Sequence, residues 1–418
     1  MNSETPLMNQ TKLPPEPGFL LGKFGLLAVL GLLVLAAWYR QVVIVVLLGL
    51  VLAAAGLSRL WSRLSLAAVR CERTLSETRA FPEEEIELKL RVLNRKLLPL
   101  PWVEVEDEIP AGFVAAGSLE PALRPGYGKL CRASSLLWYS GVGWKQTLKC
   151  HKRGYYRLGP VTVSSGDIFG LYPRSRETTQ TEHIIVYPRI FPLHHLDIPP
   201  LDLSGDNRAE RRILEDPTRV VGIRDYTPHD SLRHIHWKAT ARHLSLQVKV
   251  FEPTTTLKAA IFLGVDTYNH FSPEDETDFE LGISTAASIA NFVADKASPV
   301  GLFVNTKLAD SGQPARLPAS SGGGQLVSVL ELLAKTTTAP SEPFEDFIKL
   351  EMRRLTWGTT LVFIVSRLAA PLSGLLDGLR ESGYKLLVFQ TGRSHDEANS
   401  ERGLYTVTDP AGLAEAGF

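Results

Sequence analysis

The sequence predicts a multidomain chain with three parts: an N-terminal transmembrane helical hairpin, an all-β sandwich-like domain, and a C-terminal α/β doubly wound domain. Three observations predict it. Between Leu20 and Leu57 only Lys23 and Arg40 are charged, and the rest is mostly Leu, Val, Ala, Ile and Gly. From Arg70 to about Pro188, short apolar runs are separated by recurrent Pro, Gly and Asn turn signals. After Pro253, strand-like and helix-like patterns alternate, as they do where helices cover both faces of a parallel sheet. The 418 residues exceed one ordinary core. They divide into a tail at 1–18, the hairpin at 19–58, the sandwich-like domain at 66–190, a linker at 191–219, a motif region at 220–253 and the α/β domain at 254–418.

The hairpin is read from two apolar runs, Leu20 to Tyr39 and Gln41 to Leu57, each near the roughly 20 residues that cross about 30 Å of hydrocarbon. Lys23 can snorkel to the interface, and Arg40 marks a tight turn. A cleaved signal peptide is the rival reading, with Ala53-Ala54-Ala55 as its nominal cleavage site, but the apolar stretch is too long for one signal core. Lys12 and Lys23 lie at the start of the hairpin, Arg59, Arg63 and Arg70 follow it, and only Arg40 lies at the turn, which predicts that both ends are on the cytoplasmic side of the inner membrane. The three cysteines, Cys71, Cys131 and Cys150, are an odd number without paired spacing and fit a reducing compartment.

In the second part, the runs Ile86 to Val92, Trp102 to Val105, Ser135 to Trp138, Gln146 to Cys150 and Ile184 to Val186 read as strands. Pro110-Ala111-Gly112, Pro125-Gly126 and Gly141-Val142-Gly143 supply turns between them. Trp138, Trp144, Tyr155 and Tyr156 are expected as packing aromatics. Phe191 to Arg219 mixes Pro, Asp and Arg without a steady period and reads as a linker.

The densest chemistry lies in Val220 to Glu252. Asp230 is placed to cap a helix from Ser231 to about Arg242, with Leu232, Ile235 and Ala239 on one face. A period of two from Leu244 to Phe251, with Leu244, Leu246, Val248 and Val250 on one side, then predicts a half-buried strand. Arg224, Asp225, Asp230, Arg233, Lys238 and Arg242 offer opposite charges, and Tyr226 and Trp237 offer planar faces for Arg stacking. Two readings follow, a buried polar network that fixes the linker onto the α/β sheet and a partner-binding surface.

The order Arg224-x-Tyr226, Asp230, Ile235, Trp237, Ala241-Arg242, Val248-Lys249 and Glu252 resembles the signature of domain-of-unknown-function family fifty-eight of bacterial membrane proteins. Asp225 and Lys238 lie within the same stretch, and His229 stands where the family usually has Gly. The segments Arg157-Leu158-Gly159-Pro160 and Asp167-Ile168-Phe169-Gly170-Leu171 resemble that family's β-rich region. The resemblance implies a membrane hairpin and a β-rich domain before the motif and a von Willebrand factor A-like domain after it. It also implies a MoxR-type AAA+ ATPase as the partner.

In the α/β part, Ala259 to Val265, Val300 to Val304, Thr360 to Val365 and Lys385 to Phe389 read as strands. Asp278 to Lys296, Gln325 to Lys335, Phe344 to Arg354 and Ala370 to Ser382 read as helices. Asp266 therefore falls at the carboxyl edge of the sheet, where such folds bind ligands. In the von Willebrand factor A fold that edge carries Asp-x-Ser-x-Ser, whose hard oxygens suit magnesium. Here it reads Asp266-Thr267-Tyr268-Asn269-His270, and Ser366-Arg367 follows a later strand where a metal site would want an aspartate. The metal site is expected to be degenerate, with Asp266 bonding loop amides or capping the next helix.

Other chemistry finds little support in the sequence. His229, His234, His236 and His243 are too dispersed for a tetrahedral zinc site, and Cys150-His151 are strand neighbours facing opposite sides. The Ser320 to Gly324 loop lacks the basic residue of a phosphate cradle. With 45 basic and 45 acidic residues, the chain has no overall signature of a nucleic-acid binder. No cofactor is expected. The leading expectation is a membrane-anchored, non-enzymatic scaffold or adaptor. A divalent-cation-dependent binding module, tested at Asp266, is one alternative, and a hydrolase using Asp230 with a nearby histidine is another.

Overall fold

A computed structural model describes residues 23–115, 120–122, 124–178, 181–193, 215–227, 232–253, 258–268, 273–355, 358–392 and 404–407. The chain forms two compact units, Met1–Pro188 and Arg189–Phe418.

The first unit opens on α1 (Lys23–Trp38) and α2 (Val42–Ser65). α2 is long and apolar enough to cross a membrane, and α1 is a shorter apolar helix. The pair is consistent with membrane anchoring. Arg40 turns the chain between them in a left-handed conformation (φ 54°), donating its N–H to Ala37 O, while Gln41 N–H reaches Ala36 O. α2 continues beyond its apolar stretch, and its last turns bury Ser58, Ser62 and Ser65.

The β-rich part follows directly. In chain order its strands are β1 (Val69–Leu75), β2 (Arg79–Ala80), β3 (Glu85–Asn94), β4 (Leu100–Pro110), β5 (Phe113–Ala115) and β6 (Glu120–Pro121). β7 (Tyr127–Leu136), β8 (Gly141–Cys150), β9 (Gly154–Leu158), β10 (Val161–Ser165), β11 (Arg174–Thr178) and β12 (Glu182–Val186) complete it. They assemble as sheets ordered β1-β3-β8-β5, β11-β10-β4-β7-β6 and β2-β12-β9. β3 shows why: it buries every second residue, so Ile86, Leu88, Leu90 and Val92 face inward while Glu85, Glu87 and Lys89 face water. Val103, Val105 and Ile109 of β4, Leu148 of β8, Val161 and Val163 of β10 and Ile184 and Val186 of β12 join them in one core.

Arg73 is the polar centre of this core. From β1 it pairs with Asp107 of β4 at 3.0 Å and Glu182 of β12 at 3.2 Å, and donates to Leu158 O of β9 at 3.1 Å. One guanidinium thus ties together strands of all three sheets. Burial pushes the Asp107 carboxyl up to about 6, against the opposing pull of Arg73. The three cysteines are free thiols, and burial pushes Cys71 and Cys150 up to about 11.

Of the expected packing aromatics, Trp144 and Tyr156 pack against the core, and Tyr155 lies 5.7 Å from the His183 ring. Trp138 is a correction: β7 ends at Leu136, and Trp138 stands exposed in the turn that follows, beside Tyr139 at φ 49°.

In the second unit, β13 (Glu215–Asp225) begins inside the stretch read as linker, and residues 194–214 of that stretch lie outside the described residues. The strand pairs antiparallel with β14 (Gln247–Pro253), with α3 (Trp237–His243) between them. The α/β part then runs β15 (Ala259–Leu263), α4 (Pro273–Asp295), β16 (Val300–Leu308), β17 (Pro314–Ser320), α5 (Gln325–Lys335) and β18 (Thr336–Pro340). It continues through α6 (Phe344–Met352), β19 (Thr360–Val365), α7 (Ala370–Glu381), β20 (Leu386–Thr391) and β21 (Leu404–Val407).

The sheet order is β17-β16-β15-β19-β20-β21, with β18 also on β16. β16, β15, β19, β20 and β21 are parallel, and β17 and β18 are antiparallel to β16. β15 and β19 are buried at every residue, as strands covered on both faces must be. Phe344, Phe347 and Ile348 of α6 and Leu372 and Leu376 of α7 cover the face that carries Ala260, Phe262 and Phe363, while α4 lies against β15 and β19 outside that cluster.

Candidate functional site

The motif residues lie on the β13–β14 hairpin and the short helix it carries. Arg224 is paired with Val248 and Asp225 with Gln247. The expected continuous helix from Ser231 to Arg242 is replaced by a single 3-10 turn, Leu232–His234, a β-bridge from Ile235 to Val248, and α3. Ile235 explains the interruption: bridged to Val248 and buried with it, it holds the backbone extended where a helix would have continued. The helix N-cap is His236, whose Nδ1 accepts from Ala239 N at 3.1 Å. Asp230, expected in that role, lies outside the described residues.

The strand also starts later than its pattern predicted. Leu244 is no strand residue: it ends α3 in the left-handed region (φ 55°), 94% exposed, with its N–H on Thr240 O at 2.9 Å. Gln247 then anchors the hairpin. Its backbone N–H goes to Thr240 Oγ1 at 3.0 Å, and its buried amide donates to Asp225 Oδ1 and Ser245 Oγ. A neutral amide thus ties the two strands of the hairpin together, while Asp230 and the side chain of Arg233, two members of the expected polar network, lie outside the described residues. Tyr226 is half-buried, and its N–H donates to Leu246 O at 2.9 Å.

The motif consequently has two sides. Ile235, Ala239 and Val248 face inward. Arg224, Asp225, Trp237, Lys238 and Arg242 are exposed, Trp237 by 69%. Lys249 is half-buried, and the side chain of Glu252 lies outside the described residues. The order of residue types was visible in the sequence. The buried amide of Gln247 and the capping imidazole of His236 were not, because both act through partners that only the folded hairpin brings near.

Asp266 lies in a 3-10 turn (Val265–Thr267) at the carboxyl end of β15. Its Oδ1 accepts from Asn305 Nδ2 and its Oδ2 from Phe344 N, each at 2.9 Å. The amide it bonds opens α6, 78 residues on, and not the next helix. Asn305, fully buried in β16 one residue past its pairing with β15, also accepts from Val265 N at 2.7 Å and donates to Glu342 O at 3.0 Å. Thr267 Oγ1 donates to Gly264 O and accepts from Ser366 N. Tyr268 is buried with its hydroxyl on Thr391 Oγ1, and burial raises its phenol above the ordinary range.

Each oxygen of Asp266 thus accepts one donor from the protein, and the buried Tyr268 spends its hydroxyl on Thr391. Asn269 and His270 lie outside the described residues. The carboxyl edge at β15, β16 and β19 is stitched by side chains bonded to one another and to backbone. Asn305 is the member of this set that sequence reading missed, being 39 residues from Asp266.

Uncharacterized protein YeaD of Bacillus subtilis (strain 168) is 22% identical to this chain over 296 residues, covering 69% of this chain and 67% of that protein. Among solved structures, the CARDB domain of the PF1109 protein from Pyrococcus furiosus covers 28% of this chain and 90% of its own, at 13% identity and a TM-score of 0.18. A cohesin module from a Clostridium perfringens family 33 glycoside hydrolase covers 28% and 96%, at 11% identity and a TM-score of 0.20. The family model described as "Protein of unknown function DUF58" matches residues 222–412, which include the motif from Arg224 to Lys249. Over residues 222–412 the chain is thus similar to the DUF58 family of proteins of unknown function.

Proposed function

We propose that this chain is a membrane-anchored, non-enzymatic adaptor, held in the cytoplasmic membrane by two spans and carrying both units on the cytoplasmic side. Its C-terminal unit, read as von Willebrand factor A-like, docks a protein partner through the exposed side of the motif. The observation that carries the reading is Trp237, 69% exposed on α3 with Lys238 and Arg242 nearby, above a well-braced inner side. Exposed Trp and Arg on a rigid support are the residue types that dominate protein interfaces when buried by a partner. The basic residues Arg59, Arg63 and Arg70 after α2 support the cytoplasmic orientation. Family resemblance supplies the partner class, a MoxR-type AAA+ ATPase, and assembly of envelope proteins as the task; this step is analogy between families. The cation-dependent alternative has less support, since Asp266 spends its carboxylate on Asn305 and α6.

The test uses the full chain in nanodiscs and a purified MoxR-type ATPase from the same organism. The wild type is expected to bind the ATPase, and a Trp237→Ala, Arg242→Ala variant is expected to lose at least about tenfold in affinity, as truncated interface anchors do. Equal binding by the variant would move the interface elsewhere, and no binding by the wild type would remove this partner class.

A further inference from the structure

We infer that the loop between β10 and β11 is a second membrane-contact element, which lays Ile168 and Phe169 into the headgroup boundary of the bilayer that holds α2. The inference rests on the reading of α2 as a membrane span and concerns a part of the chain that the adaptor surface does not use. Ile168 is 61% and Phe169 69% exposed, two large apolar side chains side by side at a loop tip.

The loop is built to present them. Asp167 is buried, and its carboxylate accepts from Phe169 N at 3.1 Å and from Tyr172 N at 2.8 Å, folding the segment around itself. Trp102 Nε1 donates to Asp167 O at 3.2 Å, and Gly170 turns the chain at φ 68°. An exposed apolar pair on so well-held a loop is not a by-product of disorder.

The same loop is fastened to the anchor. Ser62 Oγ donates to Tyr172 O at 2.5 Å, and the Arg59 guanidinium lies 5.3 Å from the Tyr172 ring centre. The position of this junction along α2 sets its depth. From Val42 to Ser58 the helix carries no charge, and those residues rise about 26 Å, close to the roughly 30 Å of bilayer hydrocarbon. Arg40 and Arg59 bracket the stretch. The turn of α2 that holds Tyr172 therefore stands at the lipid–water boundary, with Arg59 and Arg63 at the level of the phosphates. A loop stapled to that turn shares its level.

A neighbouring turn adds to the surface. Lys96 Nζ donates to Leu64 O at 2.6 Å and Ala67 O at 2.9 Å at the end of α2, and Tyr139 N–H donates to Lys96 O. Leu97, Trp138 and Tyr139 beside this contact are all exposed. Trp and Tyr concentrate at membrane interfaces because their rings are apolar and their polar edges stay wet. Continuity with an apolar helix, aromatic composition and flanking arginines all fit one occupant, the interfacial layer of the bilayer.

The experiment places p-benzoylphenylalanine, one site at a time, in the full chain at Phe169, at Leu50 within α2 and at Val114. Val114 is a control, 56% exposed on β5, which pairs with the Cys150 end of β8, the end opposite the Gly141 turn. Each protein is irradiated in nanodiscs of phosphatidylcholine and phosphatidylglycerol, and adducts are identified by mass spectrometry. Lipid adducts at Leu50 and Phe169 with background at Val114 are expected. Lipid at Leu50 but only background at Phe169, whether that probe captures protein or nothing, would overturn the contact and leave the anchor standing. Capture at Val114 equal to that at Phe169 would overturn it too. Background at Leu50 would sink the span and the contact together.

Discussion

Arg73 and Asp107 illustrate how a buried ionic pair ties a core together while making it sensitive to pH. The carboxyl is raised by burial to about 6 from an ordinary value near 3.8, so the folded state holds its proton more tightly than the unfolded chain. Stability from this group is fully present below the unfolded value and is lost as pH rises through the folded value. Relative to an Asp107→Asn variant, the wild-type β-rich unit should lose up to about 3 kcal/mol between pH 4 and pH 6.5 and then level off. Denaturant midpoints of the two proteins across that range measure it, and parallel curves would show that the proton stays off Asp107 in the fold. Asn305 is the corresponding residue in the α/β unit. Asn305→Ala removes an acceptor from Val265 N and one donor from Asp266. A loss of about 2–4 kcal/mol is expected from the buried hydrogen bonds of the Asn305 side chain, read by chemical denaturation.

At the scale of elements, the end of α3 carries a cost that a single change should remove. Leu244 occupies the left-handed region, where a Cβ costs about 1–2 kcal/mol, and it is almost wholly exposed, so its side chain returns little by burial. Leu244→Gly should raise stability by about 1 kcal/mol, seen as a higher thermal midpoint; a drop would mean that the leucine contributes a contact. The same residue shows where the sequence was legible and where it was not. β3, β15, β19 and α5 follow their periodicities because each packs against one continuous core, and local pattern there agrees with tertiary demand. Leu244 fits the alternation of β14, yet the helix needs one more residue to turn back, and the strand starts only at Gln247. β17 and β18 escaped notice because both carry Pro and lie at the β16 side of the sheet, where antiparallel edge pairing needs little apolar pattern. The motif was legible as a set of residue types, but which of them face inward depends on the pairing of Ile235 with Val248 and on the amide of Gln247, both set by the hairpin.

At the scale of the whole molecule, the first unit joins its apolar helix pair to its β-rich part without a flexible linker. α2 ends at Ser65 and β1 begins at Val69, so the carbonyls of the last helical turn need donors from elsewhere. Lys96 supplies them for Leu64, Ser65 and Ala67, and Arg176 for Leu66 and Val69. Burial and the neighbouring Arg176 together lower the Lys96 ammonium to about 8, the cost of setting two cations at one helix end. Such a joint carries the orientation of the helix into the sheets, whereas a flexible linker would let the β-rich part tumble. Lys96→Met keeps the length of the side chain and removes its donors. Hydrogen exchange of the full chain in nanodiscs should then show faster exchange for amides at residues 64–69, with those of β3 and β8 unchanged. If exchange at 64–69 stays at the wild-type rate, Arg176 alone holds the joint; if β3 and β8 also accelerate, Lys96 supports the sheets as well as the helix end.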